Sequence, residues 1–305
     1  MIAQRTLKAS ARLEGVALHS GRFVKMALVP AAPGTGIVFV RTDLDGRPEI
    51  PAQFQHVVNT KLATTLGIGK VTLCTVEHLM AALQGMGIDN LKIEIDGPEV
   101  PILDGSAAPF CRAIQEVGIQ SQAQAKSFLA LRRRIEIRSG ETFASAEPSA
   151  KLEILGSIAW DHPMIGTQEF HYIEGDTPFS ELSSARTFGF LKDVEGLKRM
   201  GLALGGSLEN AVVLDETSVL SPGGLRYPDE FVRHKILDAL GDFKLAGIGI
   251  HGFIRLHRAG HDLHRQLLAE IFRNPDNYEI IDAMGDRRTA VVPVTAIAAR
   301  SWAAV

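Results

Sequence analysis

The stretch His234-Lys235-Ile236-Leu237-Asp238-Ala239-Leu240-Gly241-Asp242 sets one histidine and two carboxylates at successive four-residue intervals. On a helix, residues four apart share a face, so these three side chains form a stripe. A solvated surface stripe is the bland alternative. Ile236, Leu237, Ala239 and Leu240 argue against it, because they make the segment apolar and polar groups there need partners. A histidine and a carboxylate one turn apart are natural ligands for a single zinc ion, and catalytic zinc takes three protein ligands. His234 and Asp238 therefore need one more donor, and His78 is the candidate. Glu77, just before it, projects about 100° around the helix from its neighbour. It can take a proton from an attacking water without being a ligand. It can equally be a first-turn acid favoured by the helix dipole, with Thr75 as a cap.

A rival metal set is His257, His261 and His264, whose spacing suits one helix. Gly260 separates a strand-like pattern from a helical one, which puts His257 and His261 on different elements. His261 then lies at a helix start, where the dipole disfavours an imidazolium unless a carboxylate compensates, and Asp242 can supply that charge. Ser183 to Phe190 crowds hydroxyls, Arg186 and two aromatics into one short segment. Thr187 there can hydrogen-bond a developing oxyanion, and a plain strand-end turn fits the spacing as well. Leu202-Ala203-Leu204-Gly205-Gly206-Ser207 is Gly-rich but lacks the strand and helix context of dinucleotide sites and the lysine of a P-loop.

These residues must be held by regular elements. Helical patterns cover 76–83, 107–117, 230–245 and 261–272, and strand patterns cover 91–95, 134–138 and 248–256. The polar interval 119–127 is the candidate linker between an N-terminal domain (1–121) and a C-terminal one (128–280), with a tail over 281–305. Val76-Glu77-His78 and Val232-Arg233-His234 open comparable helices, each followed by a Gly-bearing turn and a strand. Internal duplication accounts for the echo, and so does chance over three positions. If the halves are related, both helix starts can face one cleft.

Composition narrows the function classes. With 305 residues, 46% hydrophobic and 22% charged, the chain is globular and long enough for two cores. A net charge of -3 gives no global pull toward nucleic acid or an anionic membrane. Cys74 and Cys111 are too few for a disulfide framework and fit a reducing compartment. The opening residues lack a secretory apolar stretch, and the late apolar run 289–299 is short and broken by Pro293, so no transmembrane segment and a cytoplasmic location are expected.

Five stretches together resemble the UDP-3-O-acyl-N-acetylglucosamine deacetylases, the zinc enzymes that commit a precursor to lipid A. They are 15–21 (Gly-Val-Ala-Leu-His-Ser-Gly), 75–83 (Thr-Val-Glu-His-Leu-Met-Ala-Ala-Leu), 101–110 (Pro-Ile-Leu-Asp-Gly-Ser-Ala-Ala-Pro-Phe), 184–190 (Ser-Ala-Arg-Thr-Phe-Gly-Phe) and 231–238 (Phe-Val-Arg-His-Lys-Ile-Leu-Asp). The resemblance implies an α+β fold of two similar two-layer α/β sandwich domains packed through their helix layers, each with an insert. It implies that His78, His234 and Asp238 bind one Zn2+, that Glu77 is the general base, and that His261 is the general acid oriented by Asp242. Thr187 would hydrogen-bond the oxyanion and Lys235 would contact substrate.

By the same resemblance Trp160 takes the place of the aromatic that stacks on uracil, and Arg258 lies near the diphosphate. Phe188 also lines the substrate site. The segment 191–214 is the insert that wraps a fatty acyl chain, with Leu191, Val194, Gly206, Ser207 and Val213 along the passage. The implied reaction is hydrolysis of the N-acetyl group of a UDP-sugar lipid to acetate and a free amine, by a monomer. His264 departs from the asparagine common among relatives, and the interval 62–66 lacks a cysteine that some relatives carry.

Overall fold

A computed structural model describes residues 2–282. Its first half runs through β1 (Ala3–Leu7), β2 (Ala11–Val16), β3 (Phe23–Pro30), β4 (Ile37–Arg41), β5 (Glu49–Pro51), β6 (Val57–Asn59), β7 (Thr65–Ile68), β8 (Val71–Leu73), α1 (Glu77–Gly85), β9 (Leu91–Ile95), α2 (Ala108–Val117) and β10 (Ile119–Ala125). The second continues through β11 (Ser127–Leu131), β12 (Ile135–Ser139), β13 (Thr142–Glu147), β14 (Leu152–Trp160) and β15 (Gly166–Ile173). It then passes α3 (Ser180–Ser183), β16 (Phe188–Phe190), α4 (Leu191–Arg199), β17 (Val212–Leu214), α5 (Glu230–Lys244), β18 (Gly249–His257), α6 (His261–Arg273) and β19 (Tyr278–Asp282).

The halves repeat one topology. In the first sheet the order is β2-β3-β9-β4-β5, with β4 and β9 parallel and the other neighbours antiparallel. In the second, β12, β13, β18, β14 and β15 follow the same order, with β14 and β18 the parallel pair. The helix pairs α1/α2 and α5/α6 flank the equivalent strands β9 and β18. This repeat accounts for the echo between Val76-Glu77-His78 and Val232-Arg233-His234.

Three local expectations are corrected. The interval 119–127 is strand, not an irregular linker, since β10 pairs antiparallel with β1 and leads straight into β11. Thr75 does not cap α1: it has φ 57 and its hydroxyl donates to Glu99 Oε1 instead. Ile281 and Asp282, placed in the tail, close β19 opposite Phe128 and Ser127. The rest of that tail, including the apolar run 289–299, lies outside the described residues.

The apolar residues of α5 and α1 carry both helices into the interior, and the polar side chains among them are buried with them. Accordingly 13 of the 15 residues of α5 are buried, and α1 is buried from Glu77 through Leu83. Leu79, Met80 and Leu83 share one core cluster with Ile236, Leu237, Leu240 and Phe243. Gly241 permits the close crossing, because a Cβ on it would lie 2.0 Å from the carbonyl oxygen of Glu77. That contact is backbone and cannot rotate away. Gly241→Ala is therefore expected to lower stability by about 1–3 kcal/mol, the usual cost of overpacking. A thermal melt showing no loss would mean the two helices can separate freely.

Candidate metal centre and active site

The crossing of α1 and α5 brings His78, from the first turn of α1, against the second turn of α5. His234 Nε2 lies 3.2 Å and His78 Nε2 3.5 Å from the same oxygen, Asp238 Oδ1. One donor atom from each residue falls within 4.8 Å of the others, and all three residues are buried. Asp238 Oδ1 is itself buried without a hydrogen-bond partner. Two imidazole nitrogens and one carboxylate oxygen are the donor set of a catalytic zinc, and a buried acceptor left bare beside them fits a cation between the three.

The surroundings suit that charge. Burial pushes the His234 imidazole down to about 3, so it is neutral with a lone pair to give. His234 Nδ1 lies 3.1 Å from the Ala185 carbonyl, which fixes the ring with Nε2 toward Asp238. Burial opposes the ionised form of Asp238, but His234 and Lys235 outweigh it and hold the carboxyl well below its usual range. Lys235 Nζ donates to Asp238 Oδ2 at 2.8 Å, so the structure gives this lysine a ligand-side partner as well as a place in the site.

Beside this cluster stand Glu77 and His261. His261 Nε2 is 4.0 Å from Glu77 Oε1, and His261 Nδ1 is 2.7 Å from Asp242 Oδ2. Burial raises the Glu77 carboxyl, with His261 and His78 working against the shift. Burial disfavours charge on His261 too, yet Asp242 and Glu77 overcome it and hold the imidazole up to about 9. One carboxyl is thus raised toward neutrality and one imidazole held as a cation at neutral pH. Such a separated pair is the arrangement from which a base and an acid are made.

Asp242, His261 and His264 also converge closely enough to hold a metal. There the carboxylate is already satisfied. Oδ2 meets His261 Nδ1 and His264 Nδ1 at 2.7 and 2.8 Å, and Oδ1 accepts from the Thr64 hydroxyl at 2.6 Å. In this second group both carboxylate oxygens are engaged and the atom without a partner is His264 Nε2, whereas in the first the carboxylate oxygen itself is bare. As Gly260 indicates, His257 sits apart, at the end of β18, with Nδ1 2.9 Å from Ser157 Oγ.

Thr187 lies just before β16, its N–H donating to Gly105 and its carbonyl accepting from Val212. Phe188 makes edge contacts with Trp160 and Phe231, and its ring lies 5.9 Å from Lys235 Nζ. Trp160 is thereby placed on the same aromatic wall. Arg258 is half-exposed, has φ 50 and pairs with Glu141 at 2.7 Å. In the insert, Leu191 and Val194 lie on α4, none of whose residues is buried, and Val213 lies on β17. Gly206 and Ser207 are exposed in the turn between them. The close backbone approach falls to Gly205 rather than Gly206: a Cβ on Gly205 would meet the Ala17 carbonyl at 2.2 Å, while one on Gly206 would find nothing nearer than 3.3 Å. The strap therefore docks on the 15–21 stretch, with Leu204 and Gly205 N–H groups donating to His19 and Leu18. Sequence reasoning passed over Thr64 and Gly241. Neither carries a spacing signal, since their partners arrive through the fold.

Among the described residues no helix is long and apolar enough to cross a membrane. A family model described as UDP-3-O-acyl N-acetylglycosamine deacetylase matches residues 4–273. A protein of Myxococcus xanthus named UDP-3-O-acyl-N-acetylglucosamine deacetylase is 54% identical, over 92% of this chain and 90% of its own. Proteins of the same name from Syntrophotalea carbinolica and Acidithiobacillus ferrooxidans are each 46% identical, over 100% and 92% of this chain and 99% and 94% of theirs.

Proposed function

This chain belongs to the UDP-3-O-acyl N-acetylglycosamine deacetylase family, and we propose that it hydrolyses the N-acetyl group of UDP-3-O-[(3R)-3-hydroxyacyl]-N-acetylglucosamine, a step of lipid A biosynthesis, as a cytoplasmic monomer. The observation that carries the reading is the bare Asp238 oxygen between His78 and His234, with Glu77 and His261 alongside. His78, His234 and Asp238 hold one Zn2+. Zinc bound there supplies Lewis acidity, which lowers the pKa of water and polarises an amide carbonyl.

The rest is done by the chain itself. Glu77, raised by burial yet ionisable, takes the proton as water attacks the acetyl carbon. The Thr187 hydroxyl donates to the oxyanion as it develops. His261, kept cationic by Asp242, gives its proton to the departing nitrogen, leaving acetate and the free amine. Lys235 and Phe188 hold the sugar, Trp160 stacks on uracil, and Arg258 turns from Glu141 to the diphosphate. Acetate release from the UDP substrate by purified protein tests the assignment, and its absence from zinc-replete protein would refute it.

Glu77→Ala and His261→Ala are each expected to retain zinc and lose roughly 10²-fold or more in rate, since proton transfer contributes on that scale. Zinc loss from either would move that residue into the ligand set. The rate should fall below the Glu77 pKa, where the base is protonated, and again above about 9, where His261 loses its proton. A flat kcat/KM profile from neutral pH through pH 10 would count against this pair.

A further inference from the structure

Thr64, just before β7, is buried and touches the proposed base, Glu77, and the carboxylate that holds the proposed acid, Asp242. Its N–H donates to Glu77 Oε2 at 3.0 Å, and its hydroxyl donates to Asp242 Oδ1 at 2.6 Å. The two carboxylates stand on different helices, α1 and α5, and Thr64 belongs to neither. On the other side of Asp242, His264 Nδ1 occupies Oδ2 next to His261 Nδ1. A carboxylate offers about four acceptor directions, so two fixed donors leave this one little freedom to rotate.

We propose that Thr64, with His264 as counter-donor, is the positioning residue that fixes Asp242 and Glu77 relative to one another, and so holds His261 Nε2 at its 4.0 Å from Glu77 Oε1. A buried hydroxyl with an isosteric apolar substitute makes the idea testable, and it rests on Glu77 and His261 acting as base and acid. The direction of the electrostatic effect follows from donor count. Each hydrogen bond to Asp242 disperses its negative charge and weakens its hold on the His261 proton. The ionisable groups facing His261 are Asp242 and Asp238 from α5, Glu77 from α1 and His264 from α6, and Lys235 acts on His264. His264 is held below its ordinary value by burial, which suits a neutral donor.

The experiment compares zinc-loaded wild type with Thr64→Val, Thr64→Ser, His264→Leu and His264→Asn, reading kcat, KM, zinc content and the pH profile. Thr64→Val is expected to lose about tenfold to a hundredfold in kcat, the range seen when groups that orient reactive residues are removed. KM and zinc content should hold, and the alkaline limb should move to higher pH. Thr64→Ser should restore both rate and limb. His264→Leu should shift the limb the same way, while His264→Asn, which keeps a donor, should not. This pair keeps the test alive if Thr64→Val does not fold. The inference is overturned by a Thr64→Val enzyme with wild-type rate and limb, by failure of serine to rescue, or by limbs that move in opposite directions in Thr64→Val and His264→Leu. Wild type that released no acetate would instead strike the proposed function.

Discussion

A chain carrying His78→Ala, His234→Ala and Asp238→Ala is expected to leave chelator-free purification without zinc, while wild type carries one ion per chain. The expectation follows from what the three side chains do without a cation. Asp238 Oδ1 is buried with no partner, an arrangement that is costly unless a charge sits beside it. His234 is neutral and oriented by the Ala185 carbonyl, so no local rearrangement is needed to offer its lone pair. Single substitutions should be graded. Asp238→Ala removes a ligand and also leaves the partly buried Lys235 without its counter-charge, so it should destabilise the fold as well as the metal. Asp238→Asn spares volume while losing charge, and thermal melts with and without added zinc would separate the two effects. Full zinc occupancy in the triple variant would sink the site and move the ion to the second cluster, Asp242, His261 and His264, where His264 Nε2 is the one atom left without a partner.

How much of this was legible beforehand depends on the range over which each contact acts. His234 and Asp238 share a helix face, so the period of 3.6 residues places them together with no knowledge of the fold. The helix pattern of α5 was equally plain, since its apolar run is long. His78 required the assumption that two helix starts face one cleft, which the echo between Val76-Glu77-His78 and Val232-Arg233-His234 suggested and the family resemblance then repeated. Thr64 shows the limit: its hydroxyl reaches an acceptor 178 positions away, through a crossing that Gly241 makes close enough. Nothing in a threonine between two small residues announces that. Thr75 misled because a threonine before a helix has the right chemistry for a cap, while its φ of 57 turns the hydroxyl to Glu99. The interval 119–127 misled for a different reason. β10 alternates small and polar residues and is half-exposed along its length, so no buried face marks it as strand.

UDP-N-acetylglucosamine, which lacks the 3-O-acyl chain, is expected to be a very poor substrate. The insert presents apolar side chains to solvent: Leu191, Met200, Leu204 and Leu208 are 41–58% exposed, and Phe23 on the neighbouring strand is 60% exposed. Scattered exposed leucines are ordinary, but here they follow one strap whose backbone is fastened to residues 18–19, and an apolar ligand gives them a surface to cover. Each methylene taken from water is worth about 0.8 kcal/mol, so a chain of ~10 carbons offers ~8 kcal/mol before ordering costs. If half survives, kcat/KM should fall by roughly 10³-fold when the chain is removed. Gly206 gives the complementary test. A Cβ on it would press only on the Ala203 carbonyl, at 3.3 Å in an exposed turn, whereas Gly205 is closed by the Ala17 carbonyl at 2.2 Å, so Gly206→Trp should fold with a small local shift and keep its zinc. Turnover of long-acyl substrate should drop in that variant while the short-acyl reaction is spared. Equal deacetylation of acylated and unacylated sugar nucleotides by wild type would remove the reason for the strap, and with it the acylated substrate.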